Sequence, residues 1–431
     1  MVYNINMNIA SIIISVVIAL FGFAGGGGSS SGGGGSSGGG GSSSYSSHSS
    51  SSSSSSGDSD CEGVECVVGF AFVVVVMVVI VLISSSSTKK SLEKSRKKRQ
   101  LANNSTPQEQ QIHAEAERIF RAYQEDWSSF NTANIATYTT PRYNNHALLM
   151  LELLRDLHRI NKVSSLTVDV VYLKTPVSDS TELPARVDVE FEFGGLDEVL
   201  DAHTKKVLYS NRAVAATETW NFIYDGNTLK LDGISQPTES HSHLIRSLAE
   251  FSSQHNLYYS PDWGRYALPS RGLIFSNSSM ASSDVNNHII GKWDNLLTQL
   301  YTYSAIPGDP STYYLVGQIT LPKSYLGVIV KSRRQSLKVM KRLDKSYDKF
   351  ELEWPEFNKR YEVYAASADA LPAFELLNPK FMEYIYSKNP NLSLEVADNT
   401  IYIFANIKSV TEQDYADLLD VLTAAHKELK E

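Results

Sequence analysis

Cysteine is scarce in this sequence, and both residues lie in one short stretch. Cys61 and Cys66 are the two cysteines of the chain, and none occurs from residue 101 onward. Two thiols with no third or fourth ligand nearby do not form a metal site, so no metal is expected there. Two interpretations stay open: a disulfide formed in an oxidising exterior, or two unpaired thiols.

Positive charge is absent from the beginning of the chain. No lysine or arginine precedes Lys89, whereas seven occur between Lys89 and Arg99. Residues 101–431 carry 32 basic and 42 acidic side chains. This acidic balance argues against a nucleic-acid partner, because a protein that binds nucleic acid presents a basic face.

Familiar catalytic motifs are also missing. The sequence contains no phosphate-binding glycine-rich loop, no G-x-S-x-G and no H-E-x-x-H. His241-x-His243 has a spacing compatible with metal binding but no third ligand nearby, so solvated loop histidines are the favoured interpretation. We therefore assign no catalytic residue, no metal and no cofactor from the sequence.

The longest apolar run is residues 66–83, which contains no charged side chain. As a helix it would reach about 27 Å, enough to cross the hydrocarbon core of a membrane. The cations of Lys89–Arg99 mark the cytoplasmic side and attract anionic lipid. We predict a transmembrane helix at 66–83, a basic juxtamembrane linker at 84–105, and cytoplasmic domains beyond it.

A second apolar stretch, residues 9–24, lies near the N-terminus. Gly22 and Ala24 are small residues at the positions that precede a signal-peptide cleavage site. Residues 1–24 are therefore either a signal peptide or a first membrane helix. The Gly/Ser-rich residues 25–64 form the predicted extracytoplasmic linker, which is either a spacer or a tolerated repeat. The predicted location is the cell membrane, crossed once or twice.

From residue 106 the composition becomes globular. Thr106-Pro107 followed by Glu109 predicts the start of a helix, and a second helix is predicted over 145–160. Strands follow, the last two joined by a tight turn at Asp225-Gly226. The result is an α+β domain over 106–240. Its predicted strands are 163–173, 185–193, 207–224 and 228–234.

The strand TETWNFIY carries an aromatic face. Alternation places Trp220, Phe222 and Tyr224 on one side, and we expect this side to face the helices. Trp127, Trp220 and Phe222 are interpreted as core residues in preference to a ligand platform.

A second α+β domain is predicted over 245–431. A final helix at Thr411–Glu431 is predicted with Thr411 as its cap. The basic stretch Lys331–Lys345 is either a contact for lipid or an acidic partner, or a solvated helix face. The other predicted elements are strands at 272–276, 295–305, 312–322 and 325–332, a helical segment near 371–388, and a hairpin over 392–404 that turns at Asp398-Asn399.

Residues 119–238 resemble the Tim-forty-four-like domain family. The matching features are Trp127, the Tyr138–Tyr143 segment, the helix from His146, and Glu218-x-Trp220-x-Phe222. The resemblance implies a nuclear-transport-factor-2-like cone, in which helices lie against a curved antiparallel sheet and enclose a pocket. The residues that would line this pocket as binding candidates are Trp127, Tyr143, His146 and Trp220.

The C-terminal region is similar to a bacterial domain family of unknown function. The similarity is carried by Leu352-Glu353, Phe357–Tyr361 and Asn378–Met382. It implies a coherent fold and no activity.

Together these features predict a membrane-tethered cytoplasmic scaffold. Its cone-shaped domain would bind a protein segment or an apolar ligand, while the anchor and Lys89–Arg99 would contact membrane lipid. The alternative is a hydrolase-type enzyme that uses the same cavity. General acid–base chemistry would then draw on Tyr143, His146, Glu218 and Asp232.

Overall fold

A computed structural model describes Glu93 and most of residues 105–430, with gaps at 175, 178–180, 236–242, 262–263, 277, 281–282, 307, 336–342, 344 and 389–390. The predicted segments 1–24, 25–64 and 66–83, Cys61 and Cys66, and the cations of Lys89–Arg99 lie outside the described residues. Among the residues that are described, no helix is both long and apolar enough to span a membrane.

The first helix, α1, spans Pro107–Ser129 and begins as predicted. The Thr106 hydroxyl accepts a hydrogen bond from the Glu109 amide, and the Glu109 carboxylate accepts one from the Thr106 amide. This reciprocal cap satisfies two amides that the first helical turn leaves without partners. A short helix, α2, follows at Thr132–Tyr138.

The next helix, α3, spans Pro141–Asp156, so the predicted range of 145–160 is shifted by about one turn. It begins early because the Thr140 hydroxyl accepts from the Tyr143 amide and a proline occupies the first helical position. It ends early because His158 adopts a positive φ of 52°, after which the chain enters a strand.

The first sheet is a four-stranded antiparallel meander in the order β1-β2-β3-β4. The turn at Asp225-Gly226 is confirmed: Gly226 has a φ of 96°, and the Asp225 carboxylate accepts from the amides of Asn227 and Thr228. The strands are β1 at Arg159–Leu173, β2 at Ala185–Asp201, β3 at Val207–Tyr224 and β4 at Leu229–Ser235.

The second sheet has seven strands built around one long strand, β8. The strand β11 pairs along one side of β8, while β7 and β10 pair with opposite halves of its other side. These strands are β5 at Tyr258–Ser260, β6 at Asp284–Trp293, β7 at Leu296–Ser304, β8 at Tyr313–Ser332, β9 at Tyr347–Phe350, β10 at Tyr361–Ala366 and β11 at Leu392–Asn406.

Two predictions in this region were wrong, the strand at 272–276 and the hairpin at Asp398-Asn399, and two predicted strands are confirmed as parts of one longer strand. Residues 272–276 form a 3₁₀ turn at Leu273–Phe275, because Gly272 has a φ of 91° and the Leu273 amide donates to the Glu395 carboxylate. Residues 312–322 and 325–332 are one strand because β11 pairs with both halves. The predicted hairpin at Asp398-Asn399 does not form: β11 continues through this position, with Asp398 at a φ of 53°, and its register shifts because β8 has the extra residues opposite it.

The remaining helices pack on the second sheet. The segment near 371–388 is two helices, divided where the Asn378 side chain accepts from the Phe381 amide and starts a new helix. The Thr411 cap is confirmed, since its hydroxyl accepts from the Asp414 amide. These helices are α4 at His243–Gln254, α5 at Pro355–Arg360, α6 at Ala370–Leu376, α7 at Pro379–Ser387 and α8 at Glu412–Lys430.

The two sheets share an apolar core and direct polar contacts. One cluster of buried side chains joins Phe120 and Trp220 of the first region to Tyr301 and Phe404 of the second. The buried Arg159 guanidinium donates to the Tyr266 carbonyl at 2.8 Å. Residues 105–430 therefore contain two α+β parts with a continuous interior.

Candidate functional site

The predicted pocket residues are brought together in the first α+β part. Trp127, Tyr143 and Trp220 each lie against the ring of Tyr123, with centroid separations of 5.6, 6.1 and 5.5 Å. His146 adjoins them through Tyr143, with ring centroids 6.2 Å apart. Residues from α1, α3 and β3 thus form one aromatic cluster.

This cluster is solidly packed. Phe120 stacks on Phe191 at 4.5 Å and lies 4.9 Å from Trp220, whose side chain is fully buried. Trp127 and Tyr143 are also buried. The tryptophan face of β3 therefore points towards α1, as its alternation predicts, and its rings are core residues.

The indole and hydroxyl groups of Trp127, Trp220, Tyr123 and Tyr143 are engaged within the protein. The indole N–H of Trp127 donates to Asn161 Oδ1 at 3.1 Å, and that of Trp220 donates to Glu218 Oε2 at 2.9 Å. The hydroxyls of Tyr123 and Tyr143 lie 3.3 Å apart. Each indole N–H thus has the partner that a buried tryptophan requires.

The two carboxylates considered for acid–base chemistry have separate structural roles. Glu218 accepts from the Trp220 indole, whereas Asp232 accepts from the Thr140 hydroxyl at 2.7 Å at the start of α3. Arg142 lies 3.8 Å from Asp232. Asp232 therefore stabilises the contact between β4 and the first turn of α3.

Burial controls the titration of the remaining candidates. Burial raises the pKa of Tyr143 well above its usual value, and Tyr123 adds to the effect. Burial, with smaller contributions from His288 and Arg142, lowers the pKa of His146 to about 3. The His146 ring is therefore neutral near pH 7 and stacks on Tyr258 at a centroid separation of 5.3 Å.

A surface groove of about 390 Å³ runs between α1 and β1. Its walls include Arg121, Glu125 and Lys162. Arg121 is already paired with Glu117 at 2.7 Å, so the groove offers a mixture of charges without a dominant sign.

A larger groove of about 620 Å³ lies on the second α+β part. It is formed where β9 leads into α5. The Asn358 side chain stabilises this segment, because it accepts a hydrogen bond from the Leu352 amide and donates one to the Leu352 carbonyl. Arg333 closes one side by donating to the Asn358 carbonyl at 3.0 Å. The other walls are Lys349, Phe350, Glu351, Pro355, Lys359 and Tyr361.

Beside this groove, three cations converge on one carboxylate, that of Glu362. The Glu362 oxygens lie 2.9 Å from Arg333, 3.3 Å from Lys349 and 3.6 Å from Lys331. Partial burial raises the pKa of Glu362, but the Lys349 hydrogen bond and the neighbouring charges outweigh it, so the pKa lies below its usual value. One carboxylate against three cations leaves this surface with excess positive charge.

The sequence signals only part of this cluster. Lys331 and Arg333 belong to the basic stretch noted above, whereas Lys349 and Glu362 lie in a region of mixed charge. They meet because Glu362 pairs with Lys331 across β10 and β8, and Lys349 lies on the next strand, β9. Only strand register reveals this arrangement.

In the part of the chain that the structure describes, no group of three or more His, Cys, Asp or Glu side chains could hold a metal ion. Another buried carboxylate is that of Glu395, which accepts from the Leu273 amide at 2.7 and 2.9 Å. Burial raises the pKa of Glu395 to about 7, against the opposing effect of these amides.

Comparison with known proteins finds one family that matches part of the chain and two solved structures that are similar to parts of it. A family described as a protein of unknown function (DUF3137) matches residues 315–420, from β8 into α8. This match confirms the predicted similarity of the C-terminal region to a family of unknown function. No curated protein matches the chain.

Two solved structures are similar to parts of the chain. The mycobacterial trehalose monomycolate transport factor A, TtfA, is 12% identical, with a TM-score of 0.32 over 43% of this chain and 94% of that one. The intermembrane space region of the chloroplast protein ARC6 is 14% identical, with a TM-score of 0.23 over 28% of this chain and 92% of that one. Likenesses of this extent carry no argument about function.

Proposed function

We propose that this protein is a membrane-tethered cytoplasmic scaffold that binds a segment of a partner protein. The observation that carries the proposal is the filled interior of the first α+β part. Phe120, Phe191 and Trp220 occupy the space between α1 and the sheet, with ring centroids 4.5 to 5.7 Å apart. A partner would therefore bind on the outer surface.

The packed interior also favours the scaffold over the hydrolase alternative. A general acid or base must reach the substrate, and its pKa must suit proton transfer. Glu218 is bonded to Trp220, Asp232 to Thr140, and His146 has a pKa near 3 within the core. None of these arrangements places a titratable pair beside an open cavity.

The tether is supported by the sequence. Residues 66–83 suit a membrane helix, and Lys89–Arg99 suit its cytoplasmic flank. In this proposal the first α+β part, over 106–240, is a nuclear-transport-factor-2-like cone of the Tim-forty-four-like type. Four antiparallel strands with α1 and α3 against them are compatible with it.

The topology is tested by cysteine labelling in intact cells. In a chain with Cys61 and Cys66 replaced by serine, new cysteines are introduced separately as Ser50→Cys and Ser242→Cys. An impermeant thiol reagent should label the first and label the second only after lysis. Labelling of the Ser242→Cys chain in intact cells would contradict a cytoplasmic position for the domains.

The scaffold role is tested by crosslinking the full-length chain in its native membrane. We expect a reproducible partner that also captures this chain when the partner carries the purification tag. The control is a full-length chain with Phe120→Asp, which disrupts the first core. Turnover of an ester or amide substrate by the purified protein, abolished by Glu218→Gln, would favour the hydrolase instead.

A further inference from the structure

The strand β9 lies at an edge of the seven-stranded sheet. Within the described ranges it pairs with β10 and with no other strand, in a register that sets Lys349 opposite Tyr364 and Phe350 opposite Val363. An edge strand presents alternate N–H and C=O groups outward, where a further strand can pair with them. From Asp348 to Phe350, β9 therefore offers a template for an extended peptide.

One face of the sheet at this edge is positively charged. Register places Lys349 on the same face as Glu362 and, one strand further in, Lys331. The three cations around Glu362 exceed its charge by two. A strand added to β9 would place every second side chain on this face, where acidic residues are complementary.

The opposite face at the same edge is apolar around Phe350, and Asp348, two residues before it on this face, accepts a hydrogen bond from the Ser367 hydroxyl. Phe350 lies on it with the buried Val363, and the ring of Phe374 from α6 packs against Phe350 at 5.6 Å. Phe374 is 49% exposed, and Leu371, one helical turn away, is 68% exposed. The other side chains of an added strand would meet this apolar surface.

A third exposed apolar residue lies nearby. Leu326 is 69% exposed, and its neighbour Gly327 donates its amide to Asp369, directly before α6. The Tyr347 hydroxyl donates to the Leu326 carbonyl at 3.3 Å, which links this position to β9. Isolated exposed apolar residues are ordinary, but three beside one sheet edge mark an interaction surface.

We infer that β9 binds an extended segment of a partner protein whose residues alternate between acidic and apolar. The peptide backbone pairs with the outer edge of β9, its acidic side chains lie over the Lys331, Arg333 and Lys349 face, and its apolar side chains pack beside Phe350 and Phe374. This inference rests on the proposed binding role and names the class of partner.

The geometry favours a peptide over a lipid surface. A membrane is one plane and would need the cations and the apolar side chains together on one side. Here register puts Lys349 and Phe350 on opposite faces of β9. Only a chain that runs along the edge meets both faces at once.

The test measures fluorescence anisotropy of a capped, labelled heptapeptide that alternates leucine and glutamate, with the purified full-length chain. The comparison peptide has the same composition with its leucines in one block. We expect the alternating peptide to bind at least about tenfold more tightly, because only it presents one residue type to each face. Equal binding of the two peptides would overturn the inference.

Variants assign the binding to the two faces. Lys349→Glu should weaken the alternating peptide by about tenfold and reduce the salt dependence of binding, while Lys349→Arg should retain both. Phe374→Ser should weaken binding with unchanged salt dependence. Lys206→Glu, an exposed cation beside β3, is the matched control. Unchanged affinity in both Lys349→Glu and Phe374→Ser would exclude β9 as the site.

Two further outcomes separate this inference from the proposed function. Release of the bound peptide by phosphatidylserine vesicles would assign the surface to lipid and overturn the peptide site. If crosslinking recovers a partner whose binding is unchanged in Lys349→Glu and Phe374→Ser, the scaffold role stands and the β9 site fails. If crosslinking recovers no partner, the scaffold role fails, even where the peptide binds β9.

Discussion

Trp220 meets Tyr123 edge-on, with ring centroids 5.5 Å apart and ring planes 88° apart. This contact joins β3 to α1 in the centre of the first core. Trp220→Ala would remove a fully buried ring and leave a cavity among Phe120 and Phe191. We expect a loss of about 3–5 kcal/mol in the free energy of unfolding, measured by denaturant melts.

The control is Arg212→Ala, an exposed position on the same strand, which should cost less than about 0.5 kcal/mol. A loss below about 1 kcal/mol for Trp220→Ala would mean that the ring lines an open ligand site.

The sequence predicts most of the first α+β part because its signals are local. The Thr106 and Glu109 cap, the Asp225-Gly226 turn and the alternation around Trp220 each depend on residues close together in the chain. The second part depends on distant contacts. The turn after Gly272 depends on Glu395, more than a hundred residues away, so local pattern alone misassigns it.

The same reasoning explains which site residues could be predicted. Trp127, Tyr143 and Trp220 come together because of their places on α1, α3 and β3. Whether the space between them is open or filled depends on all the neighbouring side chains, which the sequence pattern does not position. The Glu362 cluster needs the register of three strands, which no short sequence window contains.

Arg271, itself partly buried, links the two α+β parts through ion pairs with the partly buried Asp156 and the exposed Asp398. Its guanidinium lies 3.6 Å from Asp156 at the end of α3 and 3.1 Å from Asp398 in β11. Arg271→Met should cost about 1–2 kcal/mol, since both carboxylates lose a charged partner and water compensates only in part.

The matched comparison is Lys292→Met, which removes a more exposed pair with Glu152 at 3.0 Å and should cost less than about 0.5 kcal/mol. Thermal melts of both variants at the same ionic strength measure the difference. Equal losses would show that burial does not strengthen the Arg271 pairs.

Gly327 allows Tyr347 to lie against β8. Its φ is +150°, and a Cβ there would overlap the Tyr347 hydroxyl and ring. Gly327→Ala should therefore displace Tyr347 and destabilise the protein by about 1–3 kcal/mol. Hydrogen exchange should become faster in β9, which Tyr347 ties to the Leu326 carbonyl.

Adding Tyr347→Ala separates the two causes. If overlap of the new Cβ with Tyr347 is the main cause, Gly327→Ala should lower the free energy of unfolding much less in the Tyr347→Ala background. The loss that remains there would be due to backbone strain. An undiminished cost would assign the whole effect to the positive φ.

The buried Glu395 should make stability depend on pH. Its pKa is raised to about 7, mainly by burial, from its usual value of 4.5, so the folded protein holds this proton more tightly than the unfolded chain does. The stabilising contribution is complete below about pH 4.5 and is lost as the pH rises through 7. His146 and His288 act in the opposite direction, because burial lowers their pKa values to about 3 and about 4.

Glu395→Gln isolates the contribution of Glu395, because glutamine resembles the protonated acid and does not titrate. The two histidines affect both proteins equally, so the difference in unfolding free energy between Glu395→Gln and the parent reports Glu395 alone. From pH 4.5 to 7.5 this difference should shift in favour of the variant by up to about 3 kcal/mol, at about 1.4 kcal/mol for each unit of pKa shift. Urea melts at a series of pH values measure it. A difference that is constant with pH would mean that Glu395 keeps an ordinary pKa, held down by the amides of the Leu273 turn.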